Sequence, residues 1–479
     1  MTGRVRGSGH NGQSKRLSRR TFGKLVASAT AALSAGSLPL FVPARLLGAE
    51  APSNRLRVGQ IGCGRIAQGH DVPAVLKSGL ADYVAVCDLD SRRMADSKAQ
   101  MEAFYRHSAV PKPQARPAPQ VKQFSDYREL LSQPDVDAVV ISTPDHWHAQ
   151  VAAAAVLAGK DVYLQKPFTM TLAEGILLRD LVAKTGRIVQ VGSQQRSTAQ
   201  FRLACELVRS GRVGAVRRVE IGLPIDPTQP DDPQQPVPAN LLYDPWLGCT
   251  PEVYYTEQRV HPQHGYGRPG WLRNESYCLG MITGWGSHHY DTMHWALDTE
   301  LSGPSRIEAH AEFPHNKIWN VHGAYQVELT YPGGIQVSVS DKHPNGLKFI
   351  GDAGWIWVTR EGATTASDPS FQGGSALPPL AASDARLLVP EGLSVQLPRS
   401  DEHHKNWLEC VRSRREPLAP ARIAHRSNSA CIASWIAMKL GRPVTWDPVT
   451  EHFVDDSKAD ALLARPERAP YGIQHLLKV

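Results

Sequence analysis

The pattern that most constrains this chain is a short apolar stretch running into a glycine turn. Residues 55–64 read Arg-Leu-Arg-Val-Gly-Gln-Ile-Gly-Cys-Gly. Leu56, Val58 and Ile61 predict a short buried strand. Gly62-x-Gly64-x-x-Ala67 follows at once, with a helix predicted from Arg65 to Ser78. Gly62 permits the tight turn, Gly64 removes a side chain where a pyrophosphate must approach, and Ala67 lets the helix lie close on the strand. The free N–H groups at the helix start, at Arg65 and Ile66, then face the phosphates. A second strand, Tyr83 to Cys87, ends in Asp88, 24 residues beyond Gly64. That is the spacing at which a carboxylate meets the adenosine ribose hydroxyls. A carboxylate there repels a ribose phosphate, so NAD is favoured over NADP; Arg92 and Arg93 nearby are the cations that would argue the other way.

Strand and helix signals go on alternating. Residues 108–120 are proline-rich and read as a loop, and Phe124 to Leu131 reads as a helix. Val136–Ile141 is a buried strand running into Thr143-Pro144-Asp145-His146-Trp147-His148. A helix over Ala149–Ala158 leads to the strand Asp161–Leu164, which ends at Gln165-Lys166-Pro167. This alternation indicates a parallel, doubly wound sheet. Ligands in such sheets sit beyond the carboxyl ends of the strands, where Asp88, Thr143–His148 and Lys166 all fall.

The second half reads differently. Ala324–Tyr331 and Ile335–Ser340 predict a hairpin across Pro332-Gly333-Gly334, and Trp355–Val358 another strand. Residues 223–262 are rich in Pro, Gln and Asp, but their Tyr243-Asp244-Pro245-Trp246-Leu247-Gly248 core argues for an ordered, functional piece. Residues 361–400 read as a polar surface loop; Asn406–Val411 and Ser429–Leu440 read as helices.

Charge and cysteine usage narrow the class further. The chain has 479 residues and a formal net charge of +7, yet residues 1–49 hold eight Lys and Arg and no acid, leaving −1 for the rest. The basic balance therefore gives no support to nucleic-acid binding by the body. Ser18-Arg19-Arg20-Thr21-Phe22-Gly23-Lys24 resembles a twin-arginine export signal. It precedes an uncharged Ala/Ser/Gly-rich stretch, Leu25–Leu40, and a cleavable Leu47-Gly48-Ala49. This predicts export to the periplasm as a folded, cofactor-loaded protein without a membrane anchor. The seven cysteines form no C-x-x-C pair and indicate neither a disulfide framework nor a zinc site.

Taken in order, these motifs resemble the Gfo/Idh/MocA oxidoreductases over residues 55–450. The family's Thr-Pro-Asn-x-x-His appears as Thr143–His148, its Glu-Lys-Pro as Gln165-Lys166-Pro167, and its Gly-rich Asp-x-x-x-His segment as Gly284–His288 followed by Asp291. The resemblance implies an α/β fold: an N-terminal Rossmann NAD(P)-binding domain, then an α/β domain with a large open antiparallel sheet. The expected divisions are 1–49 as signal peptide, 55–190 as Rossmann domain, 191–400 as substrate and oligomerisation domain, and 401–479 as C-terminal helices and tail packing back on the body. It also implies a homodimer or homotetramer.

The resemblance and the chemistry together assign the site. Gly62, Gly64, Arg65, Ile66, Asp88, Thr143, Pro144, His146, His148, Gln165 and Lys166 are expected to hold tightly bound NAD. Lys166 is the expected proton-handling group on a sugar or cyclitol hydroxyl, and His288 the second, since an imidazole takes up and releases a proton readily near neutrality. The carboxylate expected four residues before His288 is missing; Gly284 stands there. Gln195, Arg196, Trp246, Trp285, His289 and Asp291 are substrate candidates, with His289 and Asp291 as possible stand-ins for the missing carboxylate. No ligand spacing supports a metal at His288, His289, Asp291 and His294, and none is expected. The leading expectation is an exported NAD-dependent oxidoreductase acting on a secondary hydroxyl. The alternative is a redox-neutral NAD-dependent glycoside hydrolase, and the third a sugar-binding protein without catalysis.

Overall fold

Six parallel strands carry the first half of the chain: β1 (Leu56–Ile61), β2 (Ala81–Cys87), β3 (Lys122–Phe124), β4 (Ala138–Ile141), β5 (Asp161–Leu164) and β6 (Val189–Val191). Their order is β3-β2-β1-β4-β5-β6. β4, Ala-Val-Val-Ile, is buried throughout, as expected of a parallel strand covered on both faces. Helices α1 (Val72–Lys77), α2 (Ser91–Ser108), α3 (Tyr127–Leu131), α4 (His148–Leu157) and α5 (Leu172–Thr185) supply the cover. The sheet reverses its winding between β1 and β4, so a crevice opens beyond their carboxyl ends.

The computed structural model describes residues 55–108, 119–230, 232–315, 317–360 and 377–478. The expected leader over 1–49 and most of the proline-rich loop at 108–120 lie outside them. Pro52–Val479 clusters as one unit.

The glycine turn behaves as its residue types require. Gly62 has φ +86°, and a Cβ there would stand 2.7 Å from the Ser142 backbone at the end of β4. Only glycine fits both constraints. A Cβ on Gly64 would meet nothing within 4 Å. The helix expected from Arg65 to Ser78 runs as two pieces: a π-helical turn at Ala67–Asp71, then α1. The wider turn brings Asp71 fully inside the protein.

The second half builds a nine-stranded sheet. After α6 (Ala199–Arg209) come β7 (Val216–Gly222) and a two-residue β8 (Gln229–Pro230). The helices α7 (Tyr243–Leu247), α8 (Met281–Gly284) and α9 (Gly286–Leu297) follow. The remaining strands are β9 (Arg306–Ala311), β10 (Lys317–Trp319), β11 (Tyr325–Thr330), β12 (Gln336–Ser340), β13 (Gly346–Gly351), β14 (Gly354–Val358), β15 (Leu380–Ala382), β16 (Val444–Asp447) and β17 (His452–Phe453). β8 pairs only with β10; the large sheet runs β15-β14-β13-β7-β12-β11-β9-β16-β17. It is antiparallel except where β12 meets β7. The hairpin expected at Pro332–Gly334 is β11–β12, with Thr330 opposite Gln336. Along β11, Tyr325, Val327 and Leu329 are buried while Gln326 is exposed, so one face meets a core and the other is open.

That core also takes α11 (Ala421–Leu440), which lies against α9 and β9, whereas α10 (His403–Ser413) seats Trp407 and Leu408 among Val58, Tyr83 and Val140 of the first sheet. Two expectations are corrected. Lys122–Phe124 is a strand, so the helix begins only at Tyr127, capped by the Asp126 carboxylate. Within the expected loop 361–400, Leu380–Ala382 pairs as an edge strand with β14. Among the described residues no helix is long and apolar enough to cross a membrane.

Candidate active site

A cleft of about 510 Å³ lies at the carboxyl ends of β1, β2, β4 and β5. Gly62, Gly64, Arg65, Ile66, Asp88, Thr143, Pro144, Gln165 and Lys166 all line it. The Asp88 carboxylate accepts the Cys63 N–H (2.6 Å) and the Asp90 N–H (2.8 Å), which fixes it beside the glycine turn. Ile66 is 39% exposed, an apolar side chain held open at the cleft. These features fit a dinucleotide. The open space at Gly64 admits a pyrophosphate, the start of the helix faces it, and the fixed carboxylate matches ribose hydroxyls.

The long segment after β7 closes over this half of the cleft. Leu241, Trp246, Leu247, Tyr255, Val260 and Tyr277 form a small core of their own. The segment is ordered because these aromatic and aliphatic side chains bury one another. It is tied to the first domain through Ser91 N–H to Asn240 O (2.9 Å), Arg92 to Gln263 O (2.7 Å), Arg93 to Pro262 O (2.8 Å) and His261 to Asp90 (3.0 Å). Arg92 and Arg93, the two cations that left room for NADP, are therefore engaged with this segment. Trp246 and Trp271 line the cleft opposite the glycine turn.

Lys166 lines the cleft just beyond the carboxyl end of β5. Its Nζ donates to the Gly284 carbonyl at 2.9 Å, so the residue replacing the family's aspartate still meets the lysine, through its backbone. Burial lowers the lysine's proton affinity. Asp145, at the start of a 3₁₀ turn beyond β4, lines the same cleft. Its carboxyl is pushed up to about 7 by burial, against the opposing pull of Lys166. His288 is buried, its Nδ1 has no hydrogen-bond partner, and burial with the nearby Arg360 and Lys166 charges pushes it well below the usual imidazole range. Lys166 and His288 are thus two desolvated bases within each other's field.

Gln165 turns inward. Its Nε2 donates to Asp71 Oδ1 at 2.8 Å, and the same oxygen faces His404 Nε2 (3.0 Å) and His70 Nδ1 (3.1 Å), while Ser142 donates to Oδ2 at 2.6 Å. Gln165 stands where the family motif has Glu. A carboxylate there would face Asp71; an amide supplies the donor that the buried anion needs. His70, Asp71 and His404 have the spacing of a metal-ligand group, and here they hold one another by hydrogen bonds.

Several expected site residues are occupied elsewhere. His146 donates through Nε2 to the Trp246 carbonyl (3.0 Å), and the His148 ring nitrogens lie 2.7 and 3.1 Å from the carbonyls of Pro167 and Thr143. Neither lines the cleft; both brace the loops that do. Arg196 and Asp291 form a buried two-pronged ion pair (2.7 and 2.9 Å), completed by Glu300 and Ser427. Asp291 is thereby turned away from His288. Gln195 accepts from Thr292 and lies 3.4 Å from His289 Nδ1, while His289 Nε2 is 2.8 Å from the Asn345 side-chain oxygen Oδ1. Trp285 is buried beside both histidines, with the Arg360 guanidinium 4.7 Å from its ring centre. Two charged residues beside these groups escaped the sequence reading. Asp145 is inside the quoted motif, where its acidity was the available signal. Arg360 follows β14 and carried no signal.

Over residues 56–193 the chain matches an oxidoreductase family with an NAD-binding Rossmann fold, and over 228–359 and 389–473 the C-terminal alpha/beta domain of the same family. An inositol 2-dehydrogenase of Salmonella paratyphi B is 28% identical over 160 residues, covering 33% of this chain and 43% of that enzyme. A glycosyl hydrolase family 109 protein of Shewanella pealeana is 28% identical over 210 residues, covering 42% of this chain and 44% of that protein. The matches thus span less than half the length of these curated relatives. The solved aldose-aldose oxidoreductase from Caulobacter crescentus, complexed with glycerol, is 18% identical. It covers 82% of this chain and 99% of its own with a TM-score of 0.55, a likeness of fold.

Proposed function

The chain belongs to the Gfo/Idh/MocA oxidoreductases, and we propose that it transfers hydride between NAD and a secondary hydroxyl of a sugar, sugar derivative or cyclitol. The observation carrying this reading is the pair of desolvated bases, Lys166 lining a dinucleotide-shaped cleft and His288 buried within the field of its charge. When bound, the nicotinamide supplies the hydride acceptor. Gly62, Gly64, Arg65, Ile66 and Asp88 would hold the dinucleotide. The engagement of Arg92 and Arg93 by the closing segment supports NAD over NADP. Lys166 Nζ, already positioned by the Gly284 carbonyl, receives the hydroxyl proton. Its proton affinity, lowered by burial, makes the neutral amine easier to reach than in an exposed lysine. His288, neutral and with an unpartnered Nδ1, receives or returns the second hydrogen bond of the reacting hydroxyl. Asp145 gives Lys166 the carboxylate neighbour that residue 284 lacks.

The rest of the reading concerns setting. The leader-like residues 1–49 support export by the twin-arginine route, with the cofactor loaded first. The segment closing over the cleft supports tight retention, with the cofactor restored in place by a second sugar. The open face of the nine-stranded sheet is the surface through which two or four copies would assemble. A redox-neutral glycoside hydrolase is the second reading, favoured by the similarity to the family 109 protein.

The test uses protein loaded with NAD and a panel of sugars, cyclitols and aryl glycosides, recording nicotinamide reduction and released aglycone together. Stable reduction without release supports the dehydrogenase; release with the cofactor returning to its oxidised form supports the hydrolase. Lys166→Met is expected to lower hydride transfer by about 10²–10⁴-fold while NAD stays bound. Undiminished turnover in that variant overturns the role of Lys166.

A further inference from the structure

Arg360 differs from most of the buried or nearly buried guanidiniums among the described residues. Arg196 has Asp291 and Glu300, Arg93 has Asp90, Arg268 and Arg273 share Asp226, and Arg465 has Glu174. Among the described residues no carboxylate pairs with Arg360, and its buried Nη2 has no hydrogen-bond partner. Its guanidinium lies over the Trp285 ring, 4.7 Å from the centre, and the rings of His288 and His289 stand 5.9 and 5.6 Å from the same ring. Burial lowers its pKa to about 10, so it remains a cation at neutral pH.

An unpaired buried cation is costly, and proteins avoid it unless a ligand supplies the counter-charge. Trp285 returns part of that cost through its π face but brings no negative charge. The groups around it do not supply it: Lys166 adds a positive charge, His288 and His289 are held neutral by burial, and the Asp145 carboxyl, raised by burial, faces Lys166. The missing partner is therefore an anion that arrives with the substrate. One guanidinium with a free N–H edge matches one carboxylate in charge and geometry.

We infer that Arg360 receives the carboxylate of an acidic sugar, a uronic or aldonic acid or its glycoside, while Lys166 and His288 address a hydroxyl of the same molecule. This rests on the proposed oxidoreductase reading and names its substrate class. Arg360 is a binding and specificity group; it takes no part in the hydride step.

The test uses full-length NAD-loaded protein and matched acid–neutral pairs: glucuronate with glucose, galacturonate with galactose, gluconate with glucitol, and phenyl β-glucuronide with phenyl β-glucoside. Binding is followed by tryptophan fluorescence and turnover by cofactor reduction. At least one acid is expected to bind about 10- to 100-fold more tightly than its neutral partner, as a charge-assisted hydrogen bond allows. Arg360→Gln is expected to bring that ratio close to one, and Arg360→Lys to keep part of it. High salt is expected to narrow the ratio in the unmodified protein, which tests the idea without any variant. Equal binding within every pair, or a preference that survives Arg360→Gln, overturns the inference while leaving hydride transfer untouched. Arg360-dependent binding of an acid with no cofactor reduction by any sugar keeps the inference and overturns the oxidoreductase reading.

Discussion

Replacing Asp291 by Asn separates structure from chemistry in this site. The Asp291 carboxylate takes both prongs of Arg196 and a hydrogen bond from Ser427, with the two side chains of the pair 3% and 1% exposed. Removing one charge of such a pair leaves the other buried and unbalanced, at a cost of about 3–5 kcal/mol. Glu300 still reaches Arg196 Nη1 at 2.8 Å, which places the expected cost near the lower end, ~3 kcal/mol. At ~2.1 cal/mol/K per residue, a folded unit of roughly 400 residues has an unfolding entropy of ~0.8 kcal/mol/K, so the melting midpoint should fall by about 3–4 °C. Scanning calorimetry of the NAD-loaded protein measures this, and single-turnover cofactor reduction should stay within about twofold. A double change to Arg196→Met and Asp291→Leu should recover much of the loss, because paired apolar groups need no counter-charge. The reasoning is refuted if Asp291→Asn leaves the midpoint in place and slows reduction by more than tenfold. Asp291 would then serve His288, as its position in the sequence had suggested.

Three further outcomes are expected. Between pH 4 and about 7 the folded chain keeps a proton on Asp145 that the unfolded chain has released, so this group's contribution to stability is complete below pH 4 and is lost as pH rises to 7. Asp145→Asn should therefore gain stability over the unmodified protein progressively across that window and no further above it. It should also move the acid limb of cofactor reduction to lower pH, since the ionised carboxylate helps Lys166 hold its proton; an unmoved limb would remove Asp145 from the site. Gln165→Glu sets a second carboxylate against buried Asp71 and should cost about 2–4 kcal/mol near neutral pH, recovering on acidification; an unchanged melting midpoint would refute the amide's role. Asp88→Asn should weaken NAD binding about 10- to 100-fold by equilibrium titration, the worth of hydrogen bonds to a charged group.

The strand–turn–helix start of the chain was legible because its signals are local. Leu56, Val58 and Ile61 alternate into Gly62, and both the turn and the Asp88 spacing follow from neighbours in the chain. The hairpin at Pro332–Gly334 was legible for the same reason. Short edge strands were not: Lys122–Phe124 and Leu380–Ala382 have three residues each, too few to establish a period, and their pairing depends on strands already in place. In the site, the family-like motifs located Lys166 and His288, but Asp291 sat three residues beyond His288 with nothing to show that Arg196 would claim it from 95 positions away. His148 was equally misleading. A histidine at a strand's carboxyl end invites a cofactor role, whereas its ring bridges two loop carbonyls. The inward turn of Gln165 depended on the π-helical turn that buries Asp71, and no periodicity announces one extra residue in a helix.

That buried carboxylate also sets a timetable. Asp71 belongs to the first element after the glycine turn, and one of its hydrogen-bond partners, His404, follows 333 residues later. While the chain emerges from the ribosome, the turn can coil, β1 can pair and His70 can reach Asp71, but the anion lacks its second imidazole, the buried one, until α10 has been made. The nucleotide cleft is therefore among the last parts of the molecule to become firm, although its signature is among the first to be translated. Truncation that removes α10 should then unsettle dinucleotide binding some 340 residues upstream, and loading with a dinucleotide becomes a signal that synthesis has passed α10.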